Sequence, residues 1–179
     1  MKKPSRGRIT LRTGETADAK KLFALIQANL EEGHLLPRTL GELTTRANQF
    51  VVAVRSRKII GCAELAPLSP HVAEVRSLAV DASARGSRVG VAIVDELRRR
   101  ARREGFEKLC AFTHAPGYFI NMGFSIVPHL WLAEKIFTDC HRCPQFRQCG
   151  QYAMVVPLDQ AFDAERGYGL PAAAAAPLA

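Results

Sequence analysis

Apolar side chains recur at every second position in several short segments and at every third or fourth position in longer ones. The first spacing predicts strands and the second predicts helices. Helical spacing extends over 16–32 and 89–104, and two shorter helices are predicted after Thr39 and over 117–122. The predicted strands are 8–12, 50–54, 58–65, 73–80, 108–113, 124–127 and 152–158.

The order of these elements predicts an α/β fold. We expect one mixed, mostly antiparallel sheet of six to seven strands flanked by about four helices. A chain of 179 residues suits one core, so we assign residues 1–158 to a single domain. Residues 159–179 are rich in alanine, proline and glycine, and we expect them to form a disordered tail.

The formal net charge is +8, which favours anionic partners. Five arginines lie between 98 and 103 on one predicted helix, where they form either a solvated face or a nucleic-acid surface. No aromatic residues interleave with them, which disfavours nucleic acid. Apolar runs are too short to cross a membrane, and the N-terminus has no signal-peptide block. We therefore expect a cytoplasmic protein without a membrane partner.

The turn between the strand at 73–80 and the helix at 89–104 has the character of an anion site. It contains Gly86 and Gly90, and Arg85 and Arg88 add positive charge. A helix start presents unpaired N–H groups and the positive end of the helix dipole, and small residues let a phosphate approach them. The spacing fits neither a P-loop nor a dinucleotide fingerprint.

Three segments, Glu74–Asp81, Arg85–Gly90 and Gly123–Phe124, resemble the GCN5-related N-acetyltransferases (GNAT), over about residues 8–158. The resemblance implies the GNAT fold, acetyl-CoA as co-substrate and, as is frequent in that family, a homodimer. It implies that main-chain groups of Leu78, Ala79 and Val80 hold the pantetheine arm. The amides implied for the pyrophosphate are those of Arg85, Gly86, Ser87, Arg88, Val89, Gly90 and Val91. Arg88 departs from the family, which usually has a glycine there.

The short N-acetylglutamate synthases of arginine biosynthesis are the branch that the sequence resembles most. The segments 33–39, 74–80, Tyr118–Phe119 and 135–140 carry this resemblance. It implies an amino-acid N-acetyltransferase that acts on L-glutamate, without the kinase domain of longer members and hence without arginine feedback through it. Since arginine binds carboxylates through paired hydrogen bonds, the expected substrate-binding residues are Arg38, Arg76, Ser77 and Lys135. Another amine, a protein N-terminus or a small molecule, is the alternative acceptor.

Acetyl transfer requires a neutral amine, a stabilised oxyanion and an acid for the departing thiolate. The resemblance points to Glu74 as the base, acting through water, and to the backbone N–H near Leu78 as the oxyanion donor. The acid stays open. Many relatives have tyrosine at the position of Phe119, whereas this chain has Tyr118 one residue earlier; Thr113 is a further alternative.

Cys140, Cys143 and Cys149 form a C-x2-C-x5-C pattern. The first pair has the spacing of metal ligands, and a fourth ligand for zinc or another metal would have to come from a histidine. Redox-sensitive thiols and ordinary packing are the two alternatives. The segment follows Lys135, so a metal there would order the part of the chain that covers the amino-acid pocket.

Overall fold

The computed structural model describes residues 8–30 and 35–158, which form one seven-stranded sheet with helices on both faces. The strands are β1 (Thr10–Thr13), β2 (Phe50–Arg55), β3 (Lys58–Pro67), β4 (Val72–Val80), β5 (Lys108–Thr113), β6 (Ser125–Val127) and β7 (Tyr152–Pro157). The helices are α1 (Ala19–Leu30), α2 (Leu40–Thr45), α3 (Val89–Arg103), α4 (Pro116–Ile120) and α5 (Ala133–Thr138). The strand order is β1-β2-β3-β4-β5-β7-β6, and only the β4–β5 pair is parallel.

Helix α3 covers one face of the sheet. Its buried residues recur at helical spacing: Val89, Gly90, Ile93, Val94, Leu97 and Ala101. They pack against small and branched side chains such as Ala63 on β3 and Ala111 on β5. Burial of this apolar stripe, at about 25 cal/mol for each Å² removed from water, holds the helix on the sheet. Gly105, at φ +85°, lies directly after the helix end and ends it in the left-handed conformation.

The opposite face is covered in two separate parts. Helices α1 and α2 pack over β2 and β3 around Leu22, Leu43 and Phe50. The segment that leads into α5 packs over β5 and β7 around Leu132 and Cys110. The strip of β3 and β4 between these two apolar clusters carries the charged side chains of the candidate site.

The parallel pair β4–β5 comes apart along its length. Its register joins only Val72, Ala73 and Glu74 to β5, although β4 continues to Val80. On the other side of β4, the interval from Arg76 to Ala79 faces the shorter interval from Cys62 to Glu64, which is a β-bulge. Ser77 lies in the bulge with φ +51°. The bulge turns Leu78 toward the α3 face, and the gap beyond Glu74 opens beside it.

The predicted α/β class and mostly antiparallel sheet are confirmed. The predicted helix at 16–32 begins with a 3-10 turn, Thr16–Asp18, and is described to Leu30. Thr39 caps α2 as predicted, because its hydroxyl accepts from the Glu42 N–H at 3.2 Å. Helix α5 was not predicted. Residues 33–34 and the tail at 159–179 lie outside the described residues.

Two findings bear on membrane and nucleic-acid partners. No helix in residues 8–30 and 35–158 combines the length and apolar character that a membrane span requires. All five α3 arginines have protein partners. The acceptors are the Met122 carbonyl for Arg98, Glu96 for Arg99 and Arg103, Glu104 and the Asn48 carbonyl for Arg100, and the Leu158 carbonyl for Arg102. Arg98, Arg100 and Arg102 thus tie α3 to its surroundings, whereas Arg99 and Arg103 pair within the helix.

Candidate active site

A cavity of about 530 Å³ opens where β4 leads into α3. This volume is typical of pockets that bind small organic ligands. One stretch of the chain supplies most of its wall: Leu78, Val80, Ala84, Arg85, Gly86, Arg88, Val89, Gly90 and Val91. The rest of the wall comes from Asn29 of α1, from Leu35 in the segment before α2, and from Tyr118 of α4. Of the residues expected to contact acetyl-CoA, the structure brings all but Ala79 and Ser87 to this cavity.

Ala79 and Ser87 support the wall from behind. Ala79 is only 1% exposed and packs in the apolar cluster under α1. The Ser87 hydroxyl donates to the Ala84 carbonyl, and its N–H reaches the same carbonyl at 3.3 Å. Ser87 therefore stabilises the turn, and its amide is already engaged.

The start of α3 supplies unpaired donors to the cavity. The first hydrogen bond of the helix runs from the Ala92 N–H to the Arg88 carbonyl at 3.0 Å. The N–H groups of Val89, Gly90 and Val91 make no backbone hydrogen bond within 8–30 and 35–158. Three such amides at a helix N-terminus favour an anion such as a diphosphate.

Arg88 is the N-cap of α3 and adopts φ +61° and ψ +16°, the left-handed conformation. This conformation explains why relatives use glycine there, because a residue with a Cβ adopts it at a cost of about 1–2 kcal/mol. The side chain of Arg88 is exposed at the cavity. Arg88 thus adds positive charge at the expense of backbone strain.

Tyr118 lies across the helix start, with its hydroxyl against Gly90. A methyl group at Gly90 would overlap that hydroxyl, so the glycine is required for this close approach. Burial, and then the nearby charge of Asp95, raise the pKa of Tyr118 above its ordinary value. The phenol is therefore protonated at neutral pH and can donate a proton or a hydrogen bond into the cavity. Phe119, by contrast, is 6% exposed and packs in the core.

A second group of residues lies beside the cavity on the strip of β3 and β4 described above. We call it the charged cluster, and its members are Arg38, Arg46, Glu64, Glu74, Arg76, Lys135 and Asp139. The cluster has four cations and three carboxylates, and Glu42 lies 3.9 Å from Arg38 as a fourth carboxylate, so the formal charges balance. It adjoins the cavity through Ser77, which accepts a hydrogen bond from Arg38 and precedes Leu78.

Glu74 is held by two cations. Lys135 Nζ lies 2.9 Å and 2.8 Å from its two oxygens, and Arg76 Nε lies 2.5 Å from Oε2. Lys135 also bonds Asp139 Oδ2 at 2.8 Å, and Arg76 Nη2 bonds the same oxygen. The contacts of Lys135 match its three donor hydrogens. Burial alone would lower the pKa of Arg76, but the carboxylates, chiefly that of Glu74, raise it.

Glu64 is paired in the same manner. Its Oε2 accepts from Arg38 Nη1 at 2.7 Å and its Oε1 from Arg46 Nε at 2.5 Å. Arg38 Nη1 also reaches Ser77 Oγ at 3.2 Å. Neither Glu64 nor Arg46 was predicted as a site residue. The available signal was a single acidic residue inside the apolar strand segment 59–66.

The three late cysteines have free thiols. Among residues 8–30 and 35–158, no group of three or more histidine, cysteine, aspartate or glutamate side chains is placed to hold a metal ion. Burial raises the pKa of the Cys140 thiol, and the nearby charge of Lys135 offsets this only in part. Metal binding and redox chemistry use the thiolate, so the metal hypothesis gains no support from this arrangement.

Comparison with known proteins gives three kinds of match. The model of the "Acetyltransferase (GNAT) family" matches residues 19–124, more than half of the chain. The N-acetyltransferase CT2212 of Chlorobaculum tepidum is 29% identical over 148 residues, which cover 83% of this chain and 96% of that protein. An amino-acid acetyltransferase of Mycobacterium tuberculosis is 27% identical over 143 residues, or 78% of this chain and 82% of the relative. One of Pasteurella multocida is 29% identical over 128 residues, and the match spans 70% of this chain but only 29% of that protein.

Solved structures share the fold. The N-acetylglutamate synthase of Neisseria gonorrhoeae, complexed with coenzyme A and N-acetyl-glutamate, superposes with a TM-score of 0.75 at 21% identity. It covers 87% of this chain, which in turn spans 36% of that protein. Rv2747 of Mycobacterium tuberculosis, in complex with CoA and NLQ, has a TM-score of 0.71 at 22% identity, with 83% and 98% coverage. At these identities the likeness concerns the fold alone.

Proposed function

The chain belongs to the GNAT acetyltransferase family and uses acetyl-CoA; from that premise we propose that its acceptor is the amine of L-glutamate. The observation that carries this proposal is the charged cluster beside the cavity, in which Arg38, Arg46 and Arg76 retain terminal nitrogens that make no hydrogen bond to any residue of 8–30 or 35–158. L-Glutamate has two carboxylates, which can accept charge-assisted hydrogen bonds from such donors. Its named relatives among amino-acid acetyltransferases support the same choice.

The cavity would hold the co-substrate with its diphosphate at the start of α3. The free amides of Val89, Gly90 and Val91 are donors that a diphosphate can accept from. The pantetheine arm would then follow β4 past Val80 to Leu78, both of which line the cavity. The thioester would lie at the end of the cavity next to the charged cluster, since Leu78 directly follows Ser77.

In the proposed reaction the ammonium of the acceptor first loses a proton to Glu74 through water. The neutral amine attacks the thioester carbonyl, so a C–N bond forms and the carbonyl oxygen becomes an oxyanion that the Leu78 N–H stabilises. The C–S bond then breaks, the nitrogen gives up its second proton to solvent, and the thiolate takes a proton, so that one proton is released in all. Tyr118 lines the cavity and is protonated at neutral pH, but its hydroxyl lies against Gly90 at the diphosphate end, so we do not assign it as the acid for the thiolate.

The acceptor carboxylates would bind the cations of the cluster. Arg38 and Arg76 each retain a terminal nitrogen that makes no hydrogen bond to any residue of 8–30 or 35–158. Lys135 uses its three hydrogens on Glu74 and Asp139, so we assign it to holding Glu74 in place. A polyamine, which has no carboxylate, would leave these arginine donors without an acceptor.

The decisive experiment measures thiol release from acetyl-CoA with L-glutamate, L-glutamine, L-aspartate, L-lysine, spermidine and a short peptide. We expect the highest kcat/KM with L-glutamate, and N-acetylglutamate as the product by mass spectrometry. Arg76→Ala should raise the KM for L-glutamate about 10–100-fold, since it removes a charge-assisted hydrogen bond. Lys20→Ala, which removes an exposed cation outside the cluster, is the matched control. A higher kcat/KM with any other amine overturns the glutamate assignment.

A further inference from the structure

Glu64 is a fully buried carboxylate in the middle of β3, with 0% of its surface exposed. An unpaired charge at such a position would cost several kcal/mol, so its partners determine whether the strand is stable. One arginine bound through both of its outer nitrogens would satisfy both oxygens of a carboxylate. Here two arginines share the carboxylate instead, one at each oxygen.

The shared carboxylate brings two guanidinium groups side by side. Arg38 comes from the residue before the N-cap of α2, and Arg46 is the residue after its last turn. Like charges repel, so without Glu64 between them the two groups would separate into solvent. The capping box of α2 fixes the backbone beside Arg38, and Glu64 fixes the side chains of both arginines.

Both arginines retain donors for a ligand. Arg38 uses Nη1 on Glu64 and Ser77, and Arg46 uses Nε on Glu64. Arg38 Nη2 and both terminal nitrogens of Arg46 make no hydrogen bond to any residue in 8–30 or 35–158. The side chain of Arg46 is 36% exposed, so a molecule arriving from solvent can reach these donors.

Arg46 faces the same space as the rest of the cluster. Burial raises the pKa of Asp139, but the nearby cations of Lys135, Arg76 and Arg46 together hold that pKa below its ordinary value. Glu64, which Arg46 bonds, is the cross-strand partner of Arg76, and Arg76 bonds Asp139, so Arg46 belongs to the same connected group of side chains.

We infer that Arg46 is a second carboxylate-binding residue of the acceptor site and that Glu64 is the positioning residue that holds it beside Arg38. This inference rests on the proposed function and deepens it by naming the residues that recognise the side-chain carboxylate. Arg46 and Arg38 bind that distal carboxylate. Arg76, which lies opposite Glu64 in the β3–β4 register, is left for the carboxylate beside the amine.

The test compares two acceptors of the same shape, L-glutamate and L-glutamine, in steady-state kinetics at saturating acetyl-CoA. Arg46→Met should raise the KM for L-glutamate about 10–100-fold, because a charge-assisted pair is lost. It should leave the KM for L-glutamine, and kcat with either acceptor, essentially unchanged. Arg46→Lys keeps the charge but lacks the planar fork, so it should restore only part of the affinity.

Glu64→Gln keeps the shape of the side chain and removes its charge. As a positioning residue, Glu64 should give the same selective rise in the KM for L-glutamate. A merely structural Glu64 would instead lower Tm and reduce kcat with both acceptors equally. If Glu64→Gln does not fold, Arg46→Met still decides the question, since that side chain is partly exposed.

The outcomes separate this inference from the proposed function. A wild-type enzyme that does not prefer L-glutamate to L-glutamine overturns both. A wild-type preference that survives in Arg46→Met overturns the inference alone, and Arg46 is then an ordinary ion-pair partner of Glu64. A preference that is lost in Arg46→Met while the KM for acetyl-CoA stays constant supports the assignment.

Discussion

The cavity at the start of α3 and the charged cluster beside it are built in opposite ways. Residues 78–91, one continuous segment, supply most of the cavity wall, and its donors are backbone amides. The charged cluster draws its side chains from β3, β4, α5 and the two ends of α2. Main-chain donors have the same chemistry whatever the side chain, whereas the cluster depends on the identity of each of its residues.

The two regions should therefore respond differently to substitution. In the cluster, the removal of one charge leaves a buried partner uncompensated, which affects both stability and the acceptor. In the cavity, a substitution acts through the space and the backbone conformation at the helix start. Each of the three changes below should affect one region and spare the other.

The largest effect should come from Lys135→Met. The substitution leaves Glu74, which is 4% exposed, without the cation that bonds both of its oxygens. We expect the free energy of unfolding to fall by about 3 kcal/mol, measured by urea denaturation. The Kd for coenzyme A, measured by calorimetry, should not change.

Lys58→Met is the matched control, because it also removes a lysine from an ion pair. Lys58 is 67% exposed, and its bond to Asp81 at 2.6 Å is at the surface. Its loss should cost less than about 1 kcal/mol. Equal destabilisation by the two substitutions would mean that burial of the Glu74–Lys135 pair does not determine its importance.

Gly90→Ala should have the second largest effect, in the cavity. The new methyl group would overlap the Tyr118 hydroxyl, so the tyrosine must move within the cavity wall. We expect the Kd for coenzyme A to rise about tenfold, which corresponds to an overpacking cost of about 1.4 kcal/mol. The KM for the acceptor should stay near its original value.

Two variants check this cause. Tyr118→Phe, combined with Gly90→Ala, removes the overlapping hydroxyl and should recover much of the affinity. Gly41→Ala places a methyl group on α2 where no atom lies within 4 Å, so it should leave the Kd unchanged. If the double variant binds no better than Gly90→Ala, steric overlap with Tyr118 is not the reason for the loss.

Arg88→Gly should have the smallest effect, and it should improve stability while it weakens the binding of acetyl-CoA. It relieves a left-handed residue with a side chain, so the protein should gain about 1 kcal/mol of stability. It also removes a cation at the cavity, so the KM for acetyl-CoA should rise a few-fold, in line with about 0.5–1 kcal/mol for an exposed charge. Urea denaturation and steady-state kinetics measure the two parts.

Arg57→Gly separates the two contributions. Arg57 is also left-handed, with φ +66°, and lies in the hairpin between β2 and β3, outside the wall of the cavity. The Arg57→Gly variant should gain similar stability without any change in the KM for acetyl-CoA. A loss of stability in Arg88→Gly would mean that its side chain, rather than its backbone, determines the helix start.

The cavity was predictable from sequence because its signals are local. The strand, the small residues and the helical spacing from Val89 occur in order along a short segment, and the physics of a helix start then predicts an anion site. The sequence did not distinguish the residues that line the cavity from those that support its wall. Ala79 follows the bulge at Ser77, which shifts the alternation of β4, and Ser87 is turned away from the cavity by its hydrogen bonds to the Ala84 carbonyl.

The cluster was predicted only in part because its contacts join distant segments. Glu64 and Arg38 are 26 residues apart, and Lys135 and Glu74 are 61 apart. Helix α5 gave no helical signal because its one buried residue is Lys135, whereas Phe137 is 77% exposed. Hydrophobic periodicity cannot identify a helix whose inner face is an ion pair.

The short pairing between β4 and β5 has a consequence for the whole molecule. Within the described chain, only three residue pairs join β4 to β5 in the strand register, so the sheet has a seam between β1–β4 and β5–β7 that opens beyond Glu74. A co-substrate bound along that seam would contact both parts of the sheet, so it would stabilise the fold as well as react. At a concentration one hundred times its Kd it would add about 2.7 kcal/mol to the stability of the fold. The cellular supply of the acetyl donor would then govern how long the enzyme survives as well as how fast it works.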